Sequence, residues 1–196
     1  MFISLWWYGT AYSAPKTVIV LGDSLSAEYG LARGSGWVAL LEQRLQQQKM
    51  PVTMINASIS GDTTSGALTR LPALLDKYHP TTVVVELGGN DGLRGLSLSA
   101  SETNFRAIIS TCRQAKANVL LLGMQIPPNY GLHYTQQFSA MYVNVAKSAK
   151  VPLVPFFLDG VADKAELFQP DQIHLIAAAH PRLLNNVWPY LLPLLK

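Results

Sequence analysis

The chain has 196 residues, 49% of them hydrophobic and 14% charged, a composition that suits one folded domain with its own core and argues against disorder. A count of 15 Lys+Arg against 12 Asp+Glu leaves a net charge of +3, and the basic residues are scattered singly, so nucleic acid is not an expected partner. The lone cysteine, Cys112, excludes an intramolecular disulfide, and no run reaches the roughly 18 apolar residues that a bilayer-spanning helix needs.

The first 14 residues, MFISLWWYGTAYSA, join a short apolar core to small residues at Ala11, Ser13 and Ala14 that suit a signal peptidase. They lack the basic stretch that normally opens an export signal. The expectation is an export signal or disordered segment over 1–14, a single domain over 15–196, and a periplasmic or secreted location. Five short apolar runs follow, at 17–21, 52–56, 82–87, 118–122 and 151–154, separated by longer segments of helical period. This alternation predicts an α/β fold, a three-layer α/β/α sandwich around a five-stranded parallel sheet, because parallel neighbours need crossovers that lay helices on both faces. In the segment 35–49, Trp37, Leu41 and Leu45 form one stripe. Phe105, Ile108, Ile109 and Cys112 form another, which makes the thiol a buried structural one, and Ser99 with Glu102 reads as a capping box opening that helix. Phe138, Met141, Tyr142 and Val145 form a third stripe ahead of the last strand, and the apolar tail 187–195 reads as helix and tail packed on the sheet.

In open α/β sheets, ligands bind beyond the carboxyl ends of the strands. There the sequence places Gly22-Asp23-Ser24 after the first strand, 57–63 (ASISGDT) after the second, and Gly88-Gly89-Asn90-Asp91 after the third. Each is rich in small residues and carries a polar side chain, although Gly, Asp, Asn and Ser are also ordinary turn formers. A hydroxyl at a strand-to-helix junction suits nucleophilic attack once a base removes its proton. Of the four histidines, His79 precedes a proline and the third strand, which puts it at the amino edge of the sheet, at a helix C-terminus. His133 falls in the loop 130–134 with no spaced carboxylate, and His180 precedes a proline with no acid nearby. His174 lies in 169–174 (QPDQIH), beyond the fifth strand, free to run over the carboxyl edge toward Ser24 with Asp171 beside it.

These blocks, 22–26 (GDSLS), Gly61 in 60–62 (SGD), 88–91 (GGND) and 171–174 (DQIH), occur in one order and spacing, and in them the chain resembles the GDSL, or SGNH, hydrolases. The similarity is closest to the bacterial thioesterase, arylesterase and lysophospholipase type and runs from about Lys16 over nearly the whole chain. The resemblance implies a flavodoxin-like sandwich, with Ser24 as nucleophile, His174 as base and then acid, and Asp171 as the orienting carboxylate. It also implies an oxyanion hole made from the backbone N–H of Ser24, the backbone N–H of Gly61 and the side-chain amide of Asn90. No metal or organic cofactor is implied. The expected partner is a small ester, thioester or lysophospholipid, met by a monomer. Leu93, Ile126 and Pro127, in the loops 92–98 and 126–130, are candidates for an acyl pocket. The last block departs from the family pattern, with Gln172 and Leu175 where a glycine and a proline are usual.

Deacetylation of carbohydrates is the alternative within the family, and a non-catalytic lipid- or glycan-binding module is the alternative outside it. Asp23, Asp62 and Asp91 lie at one sheet edge, as a magnesium-dependent phosphohydrolase requires. The segment 34–39 (GSGWVA) imitates a dinucleotide fingerprint, but no strand immediately precedes it and no acid follows at about 20 residues. The G-x-S-x-G elbow of α/β-hydrolases is absent.

Overall fold

β-branched and aliphatic side chains dominate the five strand sequences, and in the computed structural model, which describes residues 16–196, they form one parallel sheet. The expectation for residues 1–14 lies outside the described residues. The strands are β1 (Lys16–Gly22), β2 (Val52–Asn56), β3 (Thr82–Glu86), β4 (Asn118–Leu122) and β5 (Leu153–Val154). Their order is β2-β1-β3-β4-β5, and every pairing is parallel. Strand order reverses beside β1, so its carboxyl end and that of β3 flank the crevice where such sheets bind ligands. Buried on both faces, the central strands read as near-continuous apolar runs: Val18 through Leu21 and Val83 through Val85 are all fully buried.

Among the described residues the helices are α1 (Trp37–Gln47), α2 (Thr64–Tyr78), α3 (Gly89–Leu93), α4 (Leu98–Gln114), α5 (Leu132–Ala149) and α6 (His180–Leu191). α1 packs against α6, while α2, α4 and α5 pack side by side. The three expected apolar stripes are all core, with Trp37, Leu41, Phe105, Cys112, Phe138 and Val145 at zero exposure. Fully burying each large side chain contributes about 1.5–3 kcal/mol against leaving it in water. Burial also pushes the Cys112 thiol up to about 12, so it stays protonated and unreactive. The apolar tail is the end of α6 followed by a 3₁₀ turn over Leu192–Leu195, with Val187, Leu191 and Leu195 inward.

Three expectations need correction. The helix carrying Cys112 starts at Leu98, and its cap is Ser97, whose hydroxyl accepts from the Ala100 N–H. Ser99 is therefore inside the first turn, and Glu102 pairs with Arg106 one turn on instead of closing a capping box. The last strand is two residues long rather than four. The Val151 N–H caps α5 by donating to Ala146 O, and Pro152 has no N–H to offer the sheet. His133 is in the first turn of α5 rather than in a loop.

Candidate active site

β1 ends at Gly22, where a Cβ would approach within 2.7 Å of Ser58 Oγ and 2.9 Å of Ser26 Oγ. Only glycine lets the strand end pack this closely between the two serines. The chain then turns: Asp23 O accepts from the Ser26 and Ala27 N–H groups, and the Asp23 carboxylate accepts from the Leu25 N–H at 3.1 Å. This turn holds Ser24 at the mouth of a cleft of about 960 Å³.

From the far end of the chain, the segment after β5 brings His174 to the same place, with Nε2 2.9 Å from Ser24 Oγ and Nδ1 2.6 Å from Asp171 Oδ2. A carboxylate only accepts, so Nδ1 carries the proton and Nε2 is left to accept from the serine hydroxyl. Asp171 also accepts from the Ile173 and His174 N–H groups through its other oxygen, at 3.0 Å each. These bonds, with the one from His174 Nδ1 first among them, hold its carboxyl at about 2, well below the usual range. The Tyr29 ring lies against the imidazole, centroids 4.2 Å apart, and the Gln169 amide ties Tyr29 O to Leu175 O. Gln172 occupies the left-handed region at φ 58°, which is the physical reason a glycine is usual there. Leu175 is buried and pairs with Phe168 in an isolated antiparallel bridge. The two departures are thus accommodated without displacing His174.

Asn90, in the first turn of α3, lines the cleft beside Ser24. Its Nδ2 donates to Asp23 Oδ2 at 3.2 Å. Gly61, at φ 80°, is not among the residues lining the cleft. Its carbonyl accepts from Arg94 Nη2 at 3.0 Å, and the same nitrogen donates to Asn90 Oδ1 at 3.3 Å. Beneath the serine turn, Glu86 is buried at the end of β3 and accepts from Ser26 Oγ at 2.7 Å. Burial first, and the neighbouring Asp23 charge second, push its carboxyl well above the usual range. Burial likewise raises Asp23 to about 6, against the lowering pull of the Leu25 N–H and the Asn90 amide.

The acyl-pocket candidates Leu93, Ile126 and Pro127 all line the cleft, joined by Met124, Phe156, Leu158 and Phe168. The last three come from the apolar stretch after β5 and from the loop leading to His174. The run 154–158 (VPFFL) was the available signal, since it continues apolar past a strand end. Leu96 and Leu98 do not join this wall; they border a separate hollow between α4 and α5.

The remaining histidines stand apart. His79 ends α2 in the left-handed conformation at the amino edge, His133 is exposed on α5, and His180 is buried, its Nδ1 accepting from the Trp37 N–H at 3.0 Å. Burial lowers the His180 pKa, which suits that acceptor role. The three aspartates at the sheet edge have separate engagements. Asp23 meets Asn90, Asp62 pairs with Arg70 at 2.7 Å, and Asp91 accepts from Thr64 and Ser101. Among the described residues no group of three or more His, Cys, Asp or Glu is disposed to hold a metal ion. The glycines of 34–39 donate their Gly34 and Gly36 N–H groups to the Glu28 carboxylate. That carboxylate fills the place at the start of α1 that an anionic ligand would take.

The family model for the GDSL-like lipase/acylhydrolase family matches residues 20–182. The chain belongs to this family. Esterase TesA of Pseudomonas aeruginosa is 51% identical over 95% of this chain and 92% of its own. The Escherichia coli protein named thioesterase 1/protease 1/lysophospholipase L1 is 43% identical over 94% of this chain and 87% of its own. The crystal structure of TesA superposes with a TM-score of 0.89 at 51% identity, covering 91% of this chain and 99% of that one. The protein is thus a GDSL-type hydrolase acting on ester bonds. No helix among the described residues is long and apolar enough to cross a membrane.

Proposed function

We propose that the chain cleaves carboxylic esters and acyl thioesters, lysophospholipids and aryl esters among them, through an acyl-enzyme on Ser24. Ser24 Oγ attacks the carbonyl carbon while His174 Nε2 takes the hydroxyl proton and Asp171 stabilises the resulting imidazolium. The negative charge on the carbonyl oxygen falls to the Ser24 N–H, the Gly61 N–H and the Asn90 amide. Collapse of the tetrahedral intermediate expels the alcohol or thiol, which takes the proton from His174. Water then attacks the acyl-serine, giving its proton to the same nitrogen, and release of the acid restores Ser24.

The supporting observation is the meeting of Ser24, His174 and Asp171 at 2.9 and 2.6 Å at the mouth of an apolar cleft. Phe156, Leu158, Phe168 and Ile126 give the cleft an apolar wall that an acyl chain can pack against, which supports fatty acyl substrates. A single domain over 15–196 carries both the cleft and the residues at its edge. The signal-like residues 1–14 fit a periplasmic location. Treating the protein with a fluorophosphonate and mapping the adduct is expected to find Ser24 labelled in the wild type and no label in Ser24→Ala. Ester hydrolysis that survives Ser24→Ala would leave the cleft as a binding site only.

A further inference from the structure

The proposed donors Gly61 and Asn90 follow β2 and β3, which are not neighbours; β1 lies between them. Two strand spacings put the starting points of their loops about 10 Å apart, so something beyond the sheet must hold the loops in register. One nitrogen spans the gap. Arg94 Nη2 donates to Gly61 O at 3.0 Å and to Asn90 Oδ1 at 3.3 Å, which keeps those two oxygens within about 6 Å of each other.

The same contact decides how the Asn90 amide faces. Its Nδ2 meets the buried Asp23 carboxylate and its Oδ1 meets the Arg94 guanidinium. The flipped amide would set a carbonyl against a carboxylate and an N–H against a cation, so both partners select one orientation. With one N–H held by Asp23, the amide's second N–H remains for the substrate oxygen. Arg94 is exposed, and its two acceptors use one terminal nitrogen, so it can leave without opening the core.

We propose that Arg94 is a positioning residue for the oxyanion hole: it clamps the Gly61 loop to Asn90 and fixes the Asn90 amide with its N–H toward the reacting carbonyl. The inference rests on the reading of Gly61 and Asn90 as oxyanion donors. Loosening a preorganised donor by a fraction of an ångström to an ångström costs up to about 10²-fold in rate, and the loss falls on kcat because the contact matters most once the oxygen is charged.

The test is a double-mutant cycle on 4-nitrophenyl butyrate hydrolysis with Arg94→Ala, Asn90→Ala and the pair, beside Ser24→Ala. Arg94→Gln serves as a second variant, and the thermal unfolding midpoint of each variant is recorded. Arg94→Ala is expected to lower kcat roughly 10-fold or more with KM within about twofold, and to cost several-fold less when Asn90 is already alanine. An unchanged kcat, a change confined to KM, or an undiminished loss on the Asn90→Ala background would overturn the clamp. If Arg94→Ala is silent while Ser24→Ala and Asn90→Ala are impaired, only the Arg94 role falls. If Asn90→Ala is itself silent, the reading beneath it falls as well.

Discussion

Asn90 shows how much a single side chain can carry. Its amide lies between a buried carboxylate and an exposed guanidinium, and it faces the cleft that Ser24 opens into. Asn90→Ala is expected to lower kcat about 10² to 10³-fold, the usual cost of deleting one oxyanion donor. Circular dichroism and the unfolding midpoint should stay near wild type, since the residue is only partly buried. Steady-state kinetics on an aryl ester checks this, and a change of less than about threefold would take Asn90 out of the hole. Ser24, Asp171 and His174, which the structure brings together, and Asn90, which lines the same cleft, were legible in the sequence because their blocks occur in a recognisable order and spacing. Gly61, read from the same blocks, does not line the cleft. Arg94 and Tyr29 were not legible. Arg94 meets Gly61 and Tyr29 meets His174 across long stretches of chain, contacts that leave no mark in local sequence.

At the scale of the elements, the loop bearing the imidazole contains the clearest conflict between residue type and backbone. Gln172 is held at φ 58°, a region that costs a residue with a Cβ about 1–2 kcal/mol. Replacing it with glycine removes that strain but loosens the unfolded chain by about 0.4–1 kcal/mol. The expected net effect of Gln172→Gly is a gain of about 0.5 kcal/mol in urea-unfolding stability with kcat within twofold of wild type. A clear loss of stability would mean that the glutamine side chain supports the loop in a way its backbone conformation does not suggest. Element starts and ends were the least legible features. Ser97 and Ser99 are both competent caps, and only the packing of α4 chooses between them. Pro152 and the Val151 N–H bond to α5 decide where β5 begins. α3 eluded sequence patterning because Gly, Asn and Asp are poor helix formers, and its turn is held by its neighbours: Asp91 accepts from Thr64 at the start of α2 and from Ser101 in α4.

For the whole molecule, the two carboxyl groups beneath the serine turn couple stability to pH. Asp23 and Glu86 are both raised by burial, so the folded state binds protons more tightly than the unfolded chain does. Their stabilising share is complete below the ordinary carboxylate range and is lost as pH rises, through about 6 for Asp23 and well above the ordinary range for Glu86. Asp171 acts in the opposite sense. Its carboxyl is depressed to about 2, so its contribution is present above the ordinary range and disappears only as pH falls toward that value. Urea-unfolding stability is therefore expected to decline from about pH 5 to pH 8, and Glu86→Gln, which cannot ionise, is expected to flatten that decline. A slope unchanged by Glu86→Gln would show that Glu86 does not take up its proton on folding.

The sequence by itself determined the fold class, the strand content, the three core stripes and the family blocks. Each of these depends on the period of apolar residues or on the identity of neighbours a few positions apart, and both are local. Tertiary structure alone set the 2.9 Å distance at which Ser24 and His174 meet, brought Phe156, Leu158 and Phe168 to the cleft wall, and laid one arginine across the ends of two strands either side of β1. These are meetings in space, set by the order of strands in the sheet and the path of the connections. Ordering those segments costs conformational entropy that only the packed core offsets.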